Sequence, residues 1–405
     1  MPFFREEDMQ KIRFLHFSIK KLEEKLKNNE NFTIDELNNV LDYSKFLNLN
    51  YGKYSHSKII EELDITREYI DSITDKSIQI EDLHFECART LAVLARGYDM
   101  LSQIREEKEF YEDAIVAMYE SSKMYKTAAY FSAAALNQKN KGETLYPLNL
   151  EVRSEEARLY AQSIAASNEE LLGNLHLASK LYSGLGALAK RIFYLKQHEE
   201  IKKHQLRAQL HFDLGKACKL AVDSLEDIEQ NEQKISKLKQ KAKFYFTKAK
   251  DIWENMIKNI PDLSKGEIES IKLNLSVSDD ILKNLKTKDL PYDKIKKIQD
   301  PEPIIIIPEN LAPFVPKATI YLSRIIPKDL NVARFNKFKD KKVEKKTSYS
   351  ELDRMESEKF AIQRTLLELK KMRRDKEINV EEYTEQYQKY TQKLSEIETK
   401  INNLK

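Results

Sequence analysis

Residues 154 to 190 carry two apolar stripes on consecutive helical patterns, and this doubling constrains the fold more than any other feature. SEEARLYAQSIAAS reads as a short helix. NEELLGNLHLASKLYSGLGALAK reads as a longer one, opened by a capping-box signal, Ser167 with Glu170 three residues on. One stripe is Leu171, Leu175, Ala178, Tyr182, Leu185 and Ala189, stepping by four and three, the core face of an ordinary amphipathic helix. The other is Leu177, Leu181 and Leu188, about 100° further round. A surface helix needs one stripe. A helix with two is either enclosed by neighbours or presents one of them to a partner.

The rest of the chain is patterned to match. Eight Gly and ten Pro in 405 residues, with abundant Leu, Ala, Lys and Glu, predict long helices joined by short connections. That length exceeds one compact core, so two domains or an elongated stack is expected. EDLHFECARTLAVLARGYDMLSQI and KEFYEDAIVAMYESSKMYKTAAYFSAAAL alternate Ala with large residues, which suits closely packed antiparallel helices in a repeat-like solenoid. No fixed period recurs, so a regular tetratricopeptide array is not supported. The expected fold class is all-α.

In chain order, residues 5 to 27 are amphipathic, and FTIDELNNVLDYSKFL opens with a capping box from Thr33 to Glu36. YGKYSHS and NQKNKGETLYPLNL read as connections. After the central pair come helices through about Ser224, from 231 to 259, and from about Ser264 to Leu285. The 231–259 pattern has a core stripe of Leu238, Ala242, Tyr245, Ala249, Ile252 and Met256, and outer faces bearing Lys234, Lys237, Lys241 and Lys248. DPEPIIIIPENLAPFVPKATIYLSRIIP then holds six of the ten prolines and cannot be a regular helix, yet is too apolar for a solvated linker. It reads as an extended strap laid along the helical body. The expected domains are a solenoid over 1–333, a basic linker over 334–346 and a helical hairpin over 347–405. In the hairpin, Val380, Tyr383, Tyr387, Tyr390, Leu394, Ile397, Ile401 and Leu404 form a coiled-coil seam. Whether that seam closes within the chain or between chains is open.

Several chemistries are excluded. The seven histidines show no HExxH or paired metal spacing, and Cys87 and Cys218 sit alone in helical patterns. GLGALA falls inside a helix with no preceding strand, unlike a dinucleotide fingerprint, and no phosphate loop or nucleophile elbow is present. The expectation is a non-enzymatic protein without cofactor or metal. With 33% charged residues the net charge is only +3, which gives no general attraction to nucleic acid. No window reaches membrane-spanning length and MPFFREEDMQK has no apolar signal region, so a soluble cytoplasmic protein is expected.

Three stretches in order resemble the Bro domain family of ALIX-like ESCRT adaptors. HFECARTLAVLARGYD is similar to the family's early Ala-rich helix, and LYAQSIAASNEELLGNLHLASKLY to its central helix pair. IIIIPENLAPFVPKAT is similar to its closing segment. The resemblance covers residues 1 to 333. It implies a curved, boomerang-shaped helical solenoid with its C-terminal segment strapped back along it. It also implies binding of the C-terminal helix of an ESCRT-III subunit in membrane remodelling. By position, the exposed apolar patch that does this falls on Ile164, Leu177 and Leu181, two of which belong to the second stripe. An amphipathic partner needs such i, i+4 anchors. The bland reading is equally open: Leu177 and Leu181 pack on a neighbouring helix. Where the family has an exposed Tyr before the closing Pro, this chain has Ile304 to Ile307, so no phosphotyrosine-type regulation is carried over.

The resemblance further implies a basic surface for acidic membranes, for which Lys234, Lys237, Lys241 and Lys248 are the candidates beside the plain reading of a solvated helix face. LYPLNL is similar to the short YPxL peptides that ALIX-like V domains recognise, and reads equally as a loop anchor. The rival from another class is a coiled-coil assembly scaffold that oligomerises through 347–405 and whose solenoid binds an unrelated client.

Overall fold

The computed structural model describes residues 5–50, 60–61, 68–71, 74, 76–79, 82–135, 142–195, 200–226, 232–261, 263–285, 287, 290–311, 313–314, 386–395 and 397. The chain divides into two compact units, 1–336 and 337–405. In the second, residues 386–395 and 397 are helical, with Ile397 buried and Tyr387, Tyr390 and Leu394 half-buried among exposed neighbours. The rest of the expected hairpin, the basic linker and the strap beyond Phe314 lie outside the described residues.

The first unit is a run of helices: α1 (Glu6–Lys27), α2 (Ile34–Asn50), α3 (Leu83–Glu107), α4 (Tyr111–Ala134), α5 (Pro147–Leu171), α6 (Leu175–Leu195), α7 (Glu200–Glu226), α8 (Glu232–Asn259), α9 (Lys265–Asn284) and the short α10 (Tyr292–Lys296). From α3 to α8 each helix packs on the next in a stack of antiparallel neighbours. This is what alternating Ala and aromatic residues allow, because small residues let backbones approach. α1 buries Ile12, Leu15, Ile19, Leu22 and Leu26 against α2 and α3. It is pinned there by His16 Nδ1 with Glu86 at 3.1 Å, by Arg89 donating to Glu23 at 2.7 Å, and by Arg96 donating to the Leu26 carbonyl at 2.8 Å. At the other end Trp253, Met256 and Ile271 form a cluster between α7, α8 and α9, with Phe212 tilted 5.6 Å from Trp253.

The helix ends follow local chemistry. Thr33 and Glu36 make the expected capping box, Glu36 N donating to Thr33 Oγ1 at 3.2 Å and Thr33 N to Glu36 Oε2 at 2.9 Å. Ser264 and Glu267 make another at the start of α9. The capping box expected at Ser167 and Glu170 is absent: α5 runs straight through both and ends later. Gly173 (φ 71°) takes the left-handed position, its N–H donating to Glu170 O at 3.0 Å while Asn174 N donates to Glu169 O at 2.8 Å. That pair of bonds is a Schellman stop, which only a residue free of a Cβ penalty accepts easily. α5 also starts earlier than its pattern suggests, at Pro147, where the missing N–H is no loss.

Two short strands amend the all-α expectation. β1 (Glu68–Ile70) and β2 (Ser77–Gln79) pair antiparallel, Tyr69 opposite Ile78. Asp71 turns the chain between them by accepting from Thr74 N at 2.8 Å, an Asx-type turn that competes with helix.

The strap is the feature that ties the stack together. The described residues between 298 and 314 run without helix across α8, α6, α5 and α4 in turn, burying Ile304, Ile306, Ile307 and Phe314. Lys241 and Tyr245 of α8 hold Asp300, at 2.9 and 3.0 Å. Ser183 of α6 donates to Pro301 O at 2.6 Å, and Ile304 N donates to Lys180 O at 3.1 Å. Arg158 of α5 donates twice to Ile307 O, at 2.8 and 3.1 Å. Thr127 of α4 accepts from Phe314 N at 2.9 Å. Gly184 faces the strap, and a Cβ there would collide with the Ile304 carbonyl oxygen. Gly184→Ala is therefore expected to cost roughly 1–3 kcal/mol in urea denaturation, because the obstacle is backbone that cannot rotate away. Unchanged stability would show that the strap is not seated there.

Candidate protein-binding surface

The central pair, α5 and α6, is where the expected patch falls. All three of its side chains are buried: Ile164 at 2%, Leu177 at 3% and Leu181 at 0% exposure. The exposed patch implied by the resemblance is therefore not formed by these three. α6 packs against both α5 and α7, and the strap is seated beside it. Gly184, one turn from Leu181 on the second stripe, abuts Ile304, and Gln162 Nε2 donates both to Leu181 O (2.9 Å) and to Ile304 O (2.6 Å). From Leu177 to Ala189, only Lys180 and Ala187 escape burial. The doubled stripe marks an enclosed helix.

The lysine face is corrected at one position. Lys241 is buried, pairs with Asp300 at 2.9 Å and donates to Ile298 O, so it anchors the strap and cannot reach a membrane. Lys234, Lys237 and Lys248 are solvent-exposed. On the same helix Tyr245 and Ile252 are half-buried, and Phe246 and Trp253, outside the expected stripe, fill the core instead. LYPLNL acts as an anchor: Leu145 and Leu150 are buried and Ser132 donates to Leu145 O at 2.5 Å.

Two adjacent leucines meet solvent at the turn of the central pair. Leu171 and Leu172 are 75% and 59% exposed. Expected as the start of a core stripe, Leu171 is instead left outside because α5 ends there. The signal was present in the sequence: a Gly two residues after Leu171 marks a helix stop and puts the preceding leucines at a tip. Phe110, at the α3–α4 turn on the same edge of the antiparallel stack, is 51% exposed. Behind the leucines lies a charged cluster: Lys216 of α7 bonds Glu170 at 2.6 Å and the Tyr182 hydroxyl at 2.7 Å, and that hydroxyl donates to Glu170 at 2.8 Å. These bonds hold α5, α6 and α7 in register beneath the tip.

A cleft of about 690 Å³ between α5, α7, α8 and α9 is a different kind of surface. Its apolar floor (Val152, Trp253, Ile271) is closed off, Leu206 is half-buried, and its rim is Glu143, Arg153, Glu156, Lys202 and Glu267. It offers little apolar area to an amphipathic helix. No group of three or more metal-binding side chains occurs among the described residues. Burial pushes both thiols, Cys87 and Cys218, upward, the opposite of what a nucleophile needs.

No family model and no curated protein matches the chain. Solved structures do. The Bro1 domain of ALIX in complex with CHMP4C matches with a TM-score of 0.50 at 10% identity, over 76% of this chain and 87% of that one. ALIX in complex with the SIVmac239 PYKEVTEDL late domain matches with a TM-score of 0.50 at 11% identity; it covers 87% of this chain, which spans 49% of that one. A Bro1 domain solved for its role in endosomal targeting gives a TM-score of 0.44 at 16% identity over 70% and 81% of the two chains. The chain thus matches Bro1 domains over most of its length at low sequence identity. What is shared is the fold, a stacked helical scaffold.

One group beneath the tip makes its stability depend on pH. Asp213, one turn before Lys216, is fully buried, and burial pushes its carboxyl up to about 7 from 3.8, against the pull of the Gln209 hydrogen bond and of Lys216. The folded state then holds this proton more tightly than the unfolded chain does. Stability is lost as pH rises from about 4 to about 7. Asp213→Asn keeps the Gln209 acceptor and removes the titration. Its stability relative to wild type is expected to be higher at about pH 8 than at about pH 4. An equal difference at both pH values would show that Asp213 does not titrate in that window.

Proposed function

We propose that this protein is a non-enzymatic adaptor that binds the C-terminal amphipathic helix of an ESCRT-III subunit on its central helices, in membrane remodelling. The observation that supports the reading is the strapped antiparallel stack and its likeness to Bro1 domains, one of them solved with CHMP4C. Binding requires accessible apolar anchors, and on the central pair Leu171 and Leu172 supply them while Ile164, Leu177 and Leu181 do not. Phe110 extends the apolar edge, and the Glu170–Lys216 pair offers both charges to the partner's polar flank. Lys234, Lys237 and Lys248 stay in water on α8, and this reading asks nothing further of them. A second reading rests on the shielded positions Tyr387, Tyr390, Leu394 and Ile397, whose three-and-four spacing suits assembly through residues 347–405. Light scattering with and without those residues separates the two.

The direct test is titration of labelled C-terminal-helix peptides from the ESCRT-III subunits of the same genome. Leu171→Asp/Leu172→Asp is expected to weaken binding at least about tenfold with its melting temperature unchanged. Leu181→Asp buries a carboxylate and is expected to lose roughly 3 kcal/mol or more of stability. Wild-type binding by the double variant would refute this location of the site. Failure of every peptide with a well-folded protein would refute the adaptor reading.

A further inference from the structure

α1 has a face turned away from its packing against α2 and α3. There, Phe14 and Phe17 are 60% and 64% exposed. Three residues apart, they sit side by side on the helix surface. The positions three and four residues before and after them are Gln10, Lys11, Arg13, Ser18, Lys20 and Lys21. On α1 itself the neighbours of the two rings are therefore four cations and no carboxylate. The acidic residues of α1 are kept to its ends, Glu6, Glu7 and Asp8 in the first turn and Glu23 and Glu24 near the last. Across the helix pair, Glu36 of α2 meets the C-terminal border of this face at Lys21 and Lys25, at 3.3 and 2.8 Å.

We propose that this face of α1 docks on a membrane surface rich in anionic headgroups, with Phe14 and Phe17 at the acyl boundary and Lys11, Arg13, Lys20 and Lys21 on the headgroups. Exposed aromatics with a cationic surround are the signature of a helix lying in the interface, and the long basic side chains can bury their stems beside the rings while their charges stay wet. No described helix is long and apolar enough to span, so the contact is peripheral. The rings border neither the cleft between α5 and α9 nor the smaller one beside Arg89, and a peptide partner would need a groove for its anchors. A second copy meeting this face with the same face would set cation against cation. The inference stands apart from the peptide-binding reading, since it uses none of its residues.

The test is flotation of the full chain with vesicles of phosphatidylcholine alone or with about 30% phosphatidylserine. Binding is expected only to the anionic vesicles and is expected to fall as salt rises. Phe14→Ser/Phe17→Ser should weaken it at least about tenfold with the thermal melt unchanged. Lys11→Gln/Arg13→Gln should weaken it about fivefold per charge removed. Lys234→Gln/Lys237→Gln/Lys248→Gln should change it less than about twofold, which separates α1 from the α8 lysines. No binding to anionic vesicles, undiminished binding by the Phe variant, or loss only in the α8 variant would each overturn the proposal. Self-association abolished by the Phe variant, without vesicle binding, would also overturn it and give the face to a second copy.

Discussion

The side-chain amide of Gln162 joins three pieces of backbone. Its nitrogen donates to Leu181 O and to Ile304 O, and its oxygen accepts from Ile306 N at 3.0 Å, all within a fully buried site. An extended segment laid on helices has no ladder of its own, so its buried N–H and C=O groups must be satisfied by side chains of the helices beneath. Gln162 does this for Ile304 and Ile306. Arg158, 2% exposed and paired with Glu155 at 2.5 Å, does it for Ile307. Leaving any of these groups unpartnered in the interior costs about 1–3 kcal/mol, so the strap and the helices under it hold or release together.

That constraint decides what the central helices can show to solvent. Leu177, Leu181 and Leu188 of α6 are buried, with α5 and α7 packed against the helix and the strap seated at Gly184. Those residues belong to the interior, and the apolar side chains that meet solvent include Phe110, Leu171 and Leu172 at the turns and Phe14 and Phe17 on the terminal helix. Charge follows the same division. Lys241 is drawn inward to Asp300, whereas Lys234 and Lys237 on the same helix stay in water.

The sequence was legible where one local rule sufficed. Helix periods, the Thr33–Glu36 box and the Pro-rich strap could each be read from spacing or composition. It was illegible where the answer depended on what lies on the far side of a residue. Two leucine stripes on α6 look alike whether the chain's own elements or a partner cover the second, and only their burial in the folded chain distinguishes the two. Ser167 and Glu170 have capping-box spacing in any helix; here both point at Tyr182, at 3.4 and 2.8 Å, and Gly173 supplies the stop instead. The β1–β2 pair is too short for a period to reveal. Lys241 differs from its neighbours only by facing Asp300, far along the chain.

The strap is an integral part of the interior, and amide hydrogen exchange across residues 300 to 309 tests this most directly. The Ile304 and Ile306 amides, held by Lys180 O and Gln162 Oε1, are predicted to exchange as slowly as those of α5 and α6, opening only with global unfolding. Exchange at the rate of an exposed loop, with α5 and α6 still protected, would contradict it.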